Sequence, residues 1–287
     1  MIPAIAYIRS EKIEEVVSLL AQNQGESCVI AGGTDLIPGF HQGSSQFQNI
    51  KKLIDINQIE ELKIIEKDDQ KIIIGAGLTF SELEKSSIIL DHFPLLAKAA
   101  STVGSVQIRN RATIGGNFCN NAPCADSVPP LLVYEAKIRI RSDRDEKEIS
   151  LQQLLSKPYQ TQLKPDELVT QIVLPLRFED YRSDFYKLGR RRGVAISRIT
   201  LALLMKIENL TIQDIRIASG AVTPIGVRFP VLEDFARGKQ INDDLFKEMA
   251  QKLGQSILDK TGLRWSSDYK LPVVQQMFYT QLKMVLD

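Results

Sequence analysis

The sequence predicts an α+β protein in two parts, and three observations carry that prediction. Short β-branched runs alternate with helical patterns as far as Pro175. A charged stretch, RFEDYRSD at 177–184, then interrupts the apolar pattern and marks a boundary. Beyond it lie three long strand-like runs followed by two amphipathic helical runs. That order fits a three-stranded antiparallel sheet covered by helices.

Taken in order, Ser10 is positioned to cap a helix reaching about Gln24, with Ile13, Val16, Val17 and Leu20 on one face and Gly25 ending it. SCVIA at 27–31 reads as a buried strand, and KLIDI at 52–56 and LKIIE at 62–66 as short ones. Asp68 and Asp69 turn the chain into the strand KIIIGAG. Thr79 and Glu82 have capping-box spacing, and Pro94 suits the first turn of a helix ending near Ala100. Residues 104–126 read as a long loop, and Pro129 and Pro130 as the start of a helix carrying Leu131, Leu132 and Tyr134. AKIRIRS and KEISL form a hairpin pattern, and ELVTQIVLP at 167–175 a further strand. The strands DFYKLG, ITLALLMKIE and TIQDIRIASGAV follow. The closing helices are expected over Asp243 to Asp259 and Val273 to Leu286, with their Met and Phe positions in the core.

Composition excludes several classes of function. With 287 residues the chain can hold more than one core, and 44% hydrophobic with 25% charged residues is ordinary for a globular protein. Lys plus Arg is 36 against 35 Asp plus Glu, which argues against recognition of nucleic acid or a membrane surface through bulk charge. No apolar run is long enough to span a bilayer. The opening MIPAIAYIRSEK lacks the order of a signal peptide, so a cytoplasmic location is expected. Cys28, Cys119 and Cys124 form no CxxC pair, and His41 and His92 are the two histidines. No metal site is expected on these ligands. Cys28 is expected in the core, and Cys119 and Cys124 as small packing residues of a loop, with redox chemistry the alternative.

Two small-residue segments carry the chemistry. One is VIAGGTDLIPGF, centred on Ala31, Gly32, Gly33, Thr34 and Asp35 and followed by Leu36. The other is RNRATIGGNFCNNAPCADSVPPLL, centred on Thr113, Ile114, Gly115, Gly116 and Asn117 and ending at Asp126. Paired glycines let the backbone come within hydrogen-bonding distance of a ligand, and successive free N–H groups form an anion nest suited to a pyrophosphate. A tight turn is the competing reading of either pair taken alone. Thr34 and Thr113 can donate to phosphate oxygens, and Asn117, Asn120 and Asn121 to sugar or polyol hydroxyls. Asp126 can accept from a hydroxyl or cap the helix that follows. There is neither a GxGxxG fingerprint nor GxxxxGK followed by Ser or Thr, which disfavours a nicotinamide-type doubly wound domain and a P-loop.

AGGTDL followed by TIGGNFCNNAPCAD closely resembles the flavin-binding part of the molybdenum hydroxylases, the family of xanthine dehydrogenase, aldehyde oxidase and the medium subunit of aerobic carbon monoxide dehydrogenase. FYKLGRRRGVAISRI resembles the start of that family's C-terminal domain, so the likeness spans essentially the whole chain. The resemblance implies an FAD-binding domain over 1–176 of the PCMH type, in two subdomains split near 57–62, and a C-terminal domain over 181–287. It implies that Ala31, Gly32, Gly33, Thr34, Asp35 and Leu36 wrap the FAD pyrophosphate. Ala112, Thr113, Ile114, Gly115 and Gly116, with Asn117 and Asn120, would meet the phosphates and ribityl chain from the other side. Asp126 would bind a cofactor hydroxyl, and Val103 and Gly104 would lie near the adenine or the flavin. Leu168 and Val169 would pack on the isoalloxazine, and Lys187 would lie near the ring, its alternative being a solvated lysine at a strand end. Arg190, Arg191 and Arg192 fit a surface or interface cluster.

The resemblance further implies an electron-transfer subunit without catalytic acid or base of its own. Molybdopterin would sit on a large partner subunit and 2Fe–2S clusters on a small one, with NAD as acceptor and a purine such as xanthine as substrate. His41 lies outside the position from which some flavoproteins attach FAD covalently, so non-covalent binding is expected. Two other readings are a stand-alone flavin reductase of the enolpyruvyl type and a flavin-free assembly module.

Overall fold

The structure, a computed structural model, describes residues 4–23, 25–191 and 194–286. The chain opens with β1 (Ala6–Arg9), α1 (Ile13–Asn23), β2 (Ser27–Ile30), α2 (Leu36–His41) and β3 (Lys52–Asp55). The strands form a parallel sheet in the order β1-β3-β2. Helix α1 buries Ile13, Val16, Val17 and Leu20, the face that the spacing predicts. The helix starts at Ile13, two residues too late for Ser10 to cap it; the buried Ser10 hydroxyl instead donates to Glu15 at 2.5 Å. Gly25 has φ +93°, a left-handed turn that suits a residue without Cβ; Gln24 lies outside the described residues. In a parallel sheet ligands gather at the carboxyl ends of the strands. The first glycine segment leaves β2 at that end.

A second unit follows, with β4 (Ile65–Lys67), β5 (Lys71–Gly75), α3 (Phe80–Lys85), α4 (Ser87–His92), α5 (Pro94–Ser101), α6 (Val106–Arg109), α7 (Ile114–Asn120) and α8 (Val128–Val133). It continues through β6 (Lys137–Arg141), β7 (Glu146–Ser150), α9 (Leu151–Leu154), the small hairpin β8 (Leu155–Lys157) and β9 (Gln160–Thr161), and β10 (Leu168–Pro175). Its antiparallel sheet runs β4-β5-β10-β6-β7. The capping box of Thr79 and Glu82 forms, and Pro94 opens α5. Residues Glu60–Lys63 form a 3-10 turn, so the strand expected from Leu62 begins at Ile65. That turn packs so tightly on β5 that a Cβ at Gly75 would stand 2.3 Å from the Leu62 carbonyl oxygen. The expected long loop of 104–126 contains α6 and α7. Two glycines in the first turn of α7 mask it from propensity.

The C-terminal unit is an antiparallel sheet of β11 (Arg182–Gly189), β12 (Ser197–Glu208), β13 (Thr211–Gly220) and β14 (Val227–Arg228), with α10 (Pro230–Ala236), α11 (Asp243–Thr261) and α12 (Ser267–Met284). The three expected strands gain a fourth, β14, too short for alternation to reveal. Helix α10 has no counterpart in the sequence reading. Helix α12 starts earlier than expected and carries Pro272 within it. Period-two alternation along β12 sends Leu201, Leu203 and Met205 into the core under α11 and α12. Ala202 and Leu204 point the other way, into the core shared with α5 and α8. The polar stretch after Pro175 is pinned as well: Phe178 is buried between Tyr134 and Tyr181, at ring-centroid distances of 5.7 and 5.2 Å.

Candidate functional site

The two glycine segments meet backbone to backbone. A Cβ at Gly32 would stand 2.0 Å from the Arg111 carbonyl oxygen and 2.9 Å from the Ala112 Cα. Only glycine allows that approach. Gly33 has φ +70°, which turns the chain into α2. Asp35 precedes α2 without a side-chain capping bond. Thr34, Asp35 and Leu36 carry backbone N–H groups for which the described residues offer no acceptor. Asn57 Nδ2 steadies the base of the turn by donating to the Ala31 carbonyl at 2.8 Å and to Asp55.

The second segment is built differently. Thr113 caps α7 by accepting from the Gly116 amide at 3.1 Å. Ile114 N donates to Leu78 O and Gly115 N to Ala76 O, each at 2.9 Å. A Cβ at Gly115 would fall 2.7 Å from the Ala76 carbonyl oxygen. Gly115 is thus glycine because α7 starts against the end of β5. Asn117 Oδ1 accepts from the Ser127 hydroxyl at 2.7 Å, which leaves its amide nitrogen to donate elsewhere. Asn121, expected toward a sugar or polyol, is buried with φ +48° and donates to the carbonyls of Lys157 and Gln160, each at 2.8 Å. It tethers the β8–β9 hairpin.

Between the segments opens a cleft of about 590 Å³, within the range of cofactor pockets. Ala31, Gly32, Gly33, Thr34, Asp35, Leu36, Val103, Gly104, Ala112, Thr113, Gly116, Asn117, Asn120 and Asp126 all line it. Ile114, Gly115, Leu168, Val169 and Lys187 do not. Ile114 is fully buried, and Leu168 and Val169 lie in the cores on either side of β10. Sequence reasoning missed Gln46, Phe47, Ser105, Ile108 and the run Val194–Ser197. No motif links these segments to the glycine turns. Their exposed apolar members, Val194, Ile196 and Ile108, are the one signal available.

Asp126 is committed within the protein. Lys187 Nζ donates to its Oδ2 at 2.6 Å and to the Thr102 carbonyl at 2.7 Å, and Ser197 donates to its Oδ1. Burial raises the Asp126 pKa, and Lys187 and Ser197 oppose that rise. Ser127, not Asp126, occupies the capping position of α8. Lys187 is therefore a buried interdomain tether rather than a solvated strand end. Across the cleft, burial raises the Asp35 pKa, and a hydrogen bond with the Asn120 side chain opposes part of that rise.

All three cysteines line the cleft. Cys28, expected in the core, is half-buried because β2 is an edge strand whose side faces the cleft. Burial pushes the Cys28 thiol up to about 11 and Cys119 up to about 12. Both are neutral thiols that act as apolar wall. Among the described residues no group of His, Cys, Asp and Glu could hold a metal ion. His41 ends α2 and does not line the cleft.

Unpaired amides on one side, the Asn117 and Asn120 side chains on the other and apolar walls between them fit a dinucleotide carrying a pyrophosphate and a planar ring. Comparison with known proteins agrees. Residues 3–177 match the family described as FAD binding domain in molybdopterin dehydrogenase, and residues 184–285 match the CO dehydrogenase flavoprotein C-terminal domain. The chain belongs to this family of FAD-binding flavoprotein subunits. It is 30% identical to the xanthine dehydrogenase FAD-binding subunit of Escherichia coli O157:H7, covering 95% of this chain and 92% of that one. It is also 30% identical to the glyceraldehyde dehydrogenase medium chain of Sulfolobus acidocaldarius, over 99% of each. The carbon monoxide dehydrogenase of Hydrogenophaga pseudoflava that lacks the Mo-pyranopterin moiety superposes with a TM-score of 0.91 at 26% identity, covering 98% of this chain and 96% of that one. Among the described residues no helix is long and apolar enough to cross a membrane.

Proposed function

We propose that this chain is the FAD-carrying electron-transfer subunit of a xanthine dehydrogenase-like molybdenum hydroxylase. In this reading an iron–sulfur small subunit delivers electrons from its 2Fe–2S clusters, and a molybdopterin large subunit oxidises the purine. NAD takes the electrons away. The observation that carries the proposal is the meeting of two distant glycine segments on one cleft. FAD, when bound, supplies the conversion between single-electron and hydride chemistry.

The residues of this chain bind, orient and exclude. The amides of Thr34, Asp35 and Leu36 hold the pyrophosphate, with the Thr34 hydroxyl as a further donor. Gly116 leaves room for the cofactor chain, and Asn117 and Asn120 donate to its hydroxyls. Val103 and Gly104, with the neutral thiols, form a water-poor wall. Lys187 acts through Asp126 by holding the cleft floor to the C-terminal sheet. Leu168 and Val169 support the fold behind that wall. Relatives at equal identity are named for substrates as different as xanthine and a glyceraldehyde. That variety suits a subunit whose substrate pocket lies on another chain.

The assembled complex should release FAD on denaturation and oxidise xanthine with NAD. Protein free of flavin would overturn the cofactor assignment. Turnover of another substrate class with no turnover of purines would overturn the purine assignment alone.

A further inference from the structure

We propose that Tyr159, at the tip of the β8–β9 hairpin, is a further cofactor-binding residue: it closes the cleft beside Asp35 and donates its hydroxyl to the diphosphate. The inference rests on the FAD-binding reading above and adds to it a residue that neither glycine segment contains.

The hairpin turns through Pro158 and Tyr159, between the paired residues Lys157 and Gln160. A proline followed by a residue of positive φ makes a turn whose second position favours Gly or Asn. Here that position holds a tyrosine with φ +61°. A bulky residue in the left-handed region is strained, and such strain gathers at ligand clamps whose surroundings hold it in place.

The surroundings of Tyr159 do hold it. Asn121, at the end of α7, is left-handed as well, with φ +48°. Its carbonyl accepts from the Tyr159 amide at 3.0 Å, and its side chain donates to the Lys157 and Gln160 carbonyls on either side of the turn. Its Oδ1 is left buried with no donor among the described residues. Two left-handed residues and one orphaned oxygen thus converge on one outcome, a fixed position for Tyr159. A glycine at 159 would give the same turn without the strain. The side chain is therefore what the arrangement preserves.

That side chain stands at the rim of the cleft, outside its lining residues. Helix α7, to which the hairpin is tied, lines the cleft through Asn117 and Asn120. Burial raises the Tyr159 pKa, and Cys124 and Asp35, both on the cleft wall, are near enough to add to the rise. The phenol therefore keeps its proton and is a donor. Its hydroxyl bonds to no described residue, and the side chain is half-exposed, so the ring is free to settle on a ligand. Asp35 lies among the amides that meet the diphosphate in the reading above. A hydroxyl beside it reaches the same phosphate oxygens, where a charged acceptor strengthens the bond.

The test compares the full chain, freed of flavin, with its Tyr159→Phe and Tyr159→Gly variants. Titration with FAD, read by quenching of flavin fluorescence, gives the affinity. Thermal denaturation without flavin gives the stability. Tyr159→Phe should weaken FAD binding about tenfold, the loss of one hydrogen bond to a charged group. Tyr159→Gly should weaken it further, while its flavin-free midpoint stays at or above that of the parent chain, because glycine accepts φ +61°. A turn residue without a ligand cannot lose affinity while the fold keeps its stability. Tyr159→Phe retains the ring, so its affinity decides the matter should the glycine variant fold poorly. Full FAD affinity in Tyr159→Phe would overturn the proposal. A lowered flavin-free midpoint in Tyr159→Phe alongside its lost affinity would also overturn it and assign Tyr159 to the fold. A parent chain that binds no FAD would instead remove the underlying reading, before either variant is compared.

Discussion

Lys187 Nζ lies 2.6 Å from Asp126 Oδ2, an ion pair that joins the C-terminal sheet to the floor of the cleft. Both side chains are nearly excluded from water, at 11% and 7% exposure. The same ammonium reaches the Thr102 carbonyl, just before Val103 and Gly104 of the cleft wall. One lysine thus holds two separate cleft segments in register against β11.

Lys187→Met leaves a buried carboxylate without its cation. The expected cost is about 3 kcal/mol, read as a lower denaturation midpoint with an unchanged slope. Adding Asp126→Asn to Lys187→Met should recover part of that loss, because the lone charge is gone. Equal stability of Lys187→Met and the parent protein would refute the tether.

Gly33→Val and Gly116→Val should both expel FAD. At Gly33 the backbone is left-handed at φ +70°, where a β-branched residue is strained. At Gly116 an added Cβ would stand 2.9 Å from Thr113 Oγ1, and its methyl groups would enter the cleft. Flavin content per chain, measured after denaturation, is the readout; full occupancy in both variants contradicts the binding mode.

The cleft thiols should resist alkylation in the folded protein. Raising Cys28 from 9.0 to about 11 lowers its thiolate fraction at neutral pH roughly a hundredfold. The shift is upward, so the stability linked to the neutral thiol is complete below pH 9.0 and is lost as pH rises through about 11. Mass spectrometry of iodoacetamide-treated protein should find Cys28 and Cys119 unmodified until unfolding. Rapid labelling at neutral pH would contradict the burial argument.

The isolated chain should oxidise NADH with an artificial dye and fail to hydroxylate a purine. The motive is the cleft geometry, which provides a cradle for one dinucleotide between the two glycine segments. Purine turnover by the purified single chain would end the proposed division of labour.

Much of the fold was legible in the residues themselves. The apolar stripe of α1, the capping box before α3, Pro94 at the start of α5 and the alternation along β12 are local patterns with local causes. Helices α7 and α10 were not legible. Glycines weaken the propensity of the first, and the second spans two turns whose stability comes from packing on β13. At the site, the glycine turns were readable, but the reason for each glycine was not. Gly32 and Gly115 admit neighbouring protein backbone, whereas Gly116 leaves space in the cleft.

The amino-acid sequence alone determined the longer elements, the two glycine segments and the resemblance to flavoprotein subunits, because propensity, periodicity and motif spacing are properties of neighbouring residues. Tertiary structure decided that Asp126 faces Lys187 across 61 residues of chain, that Ile114 and Gly115 turn inward, and that Cys28 walls a cleft. Those outcomes depend on which distant surfaces pack together. Only the folded balance of burial, hydrogen bonding and backbone approach selects them.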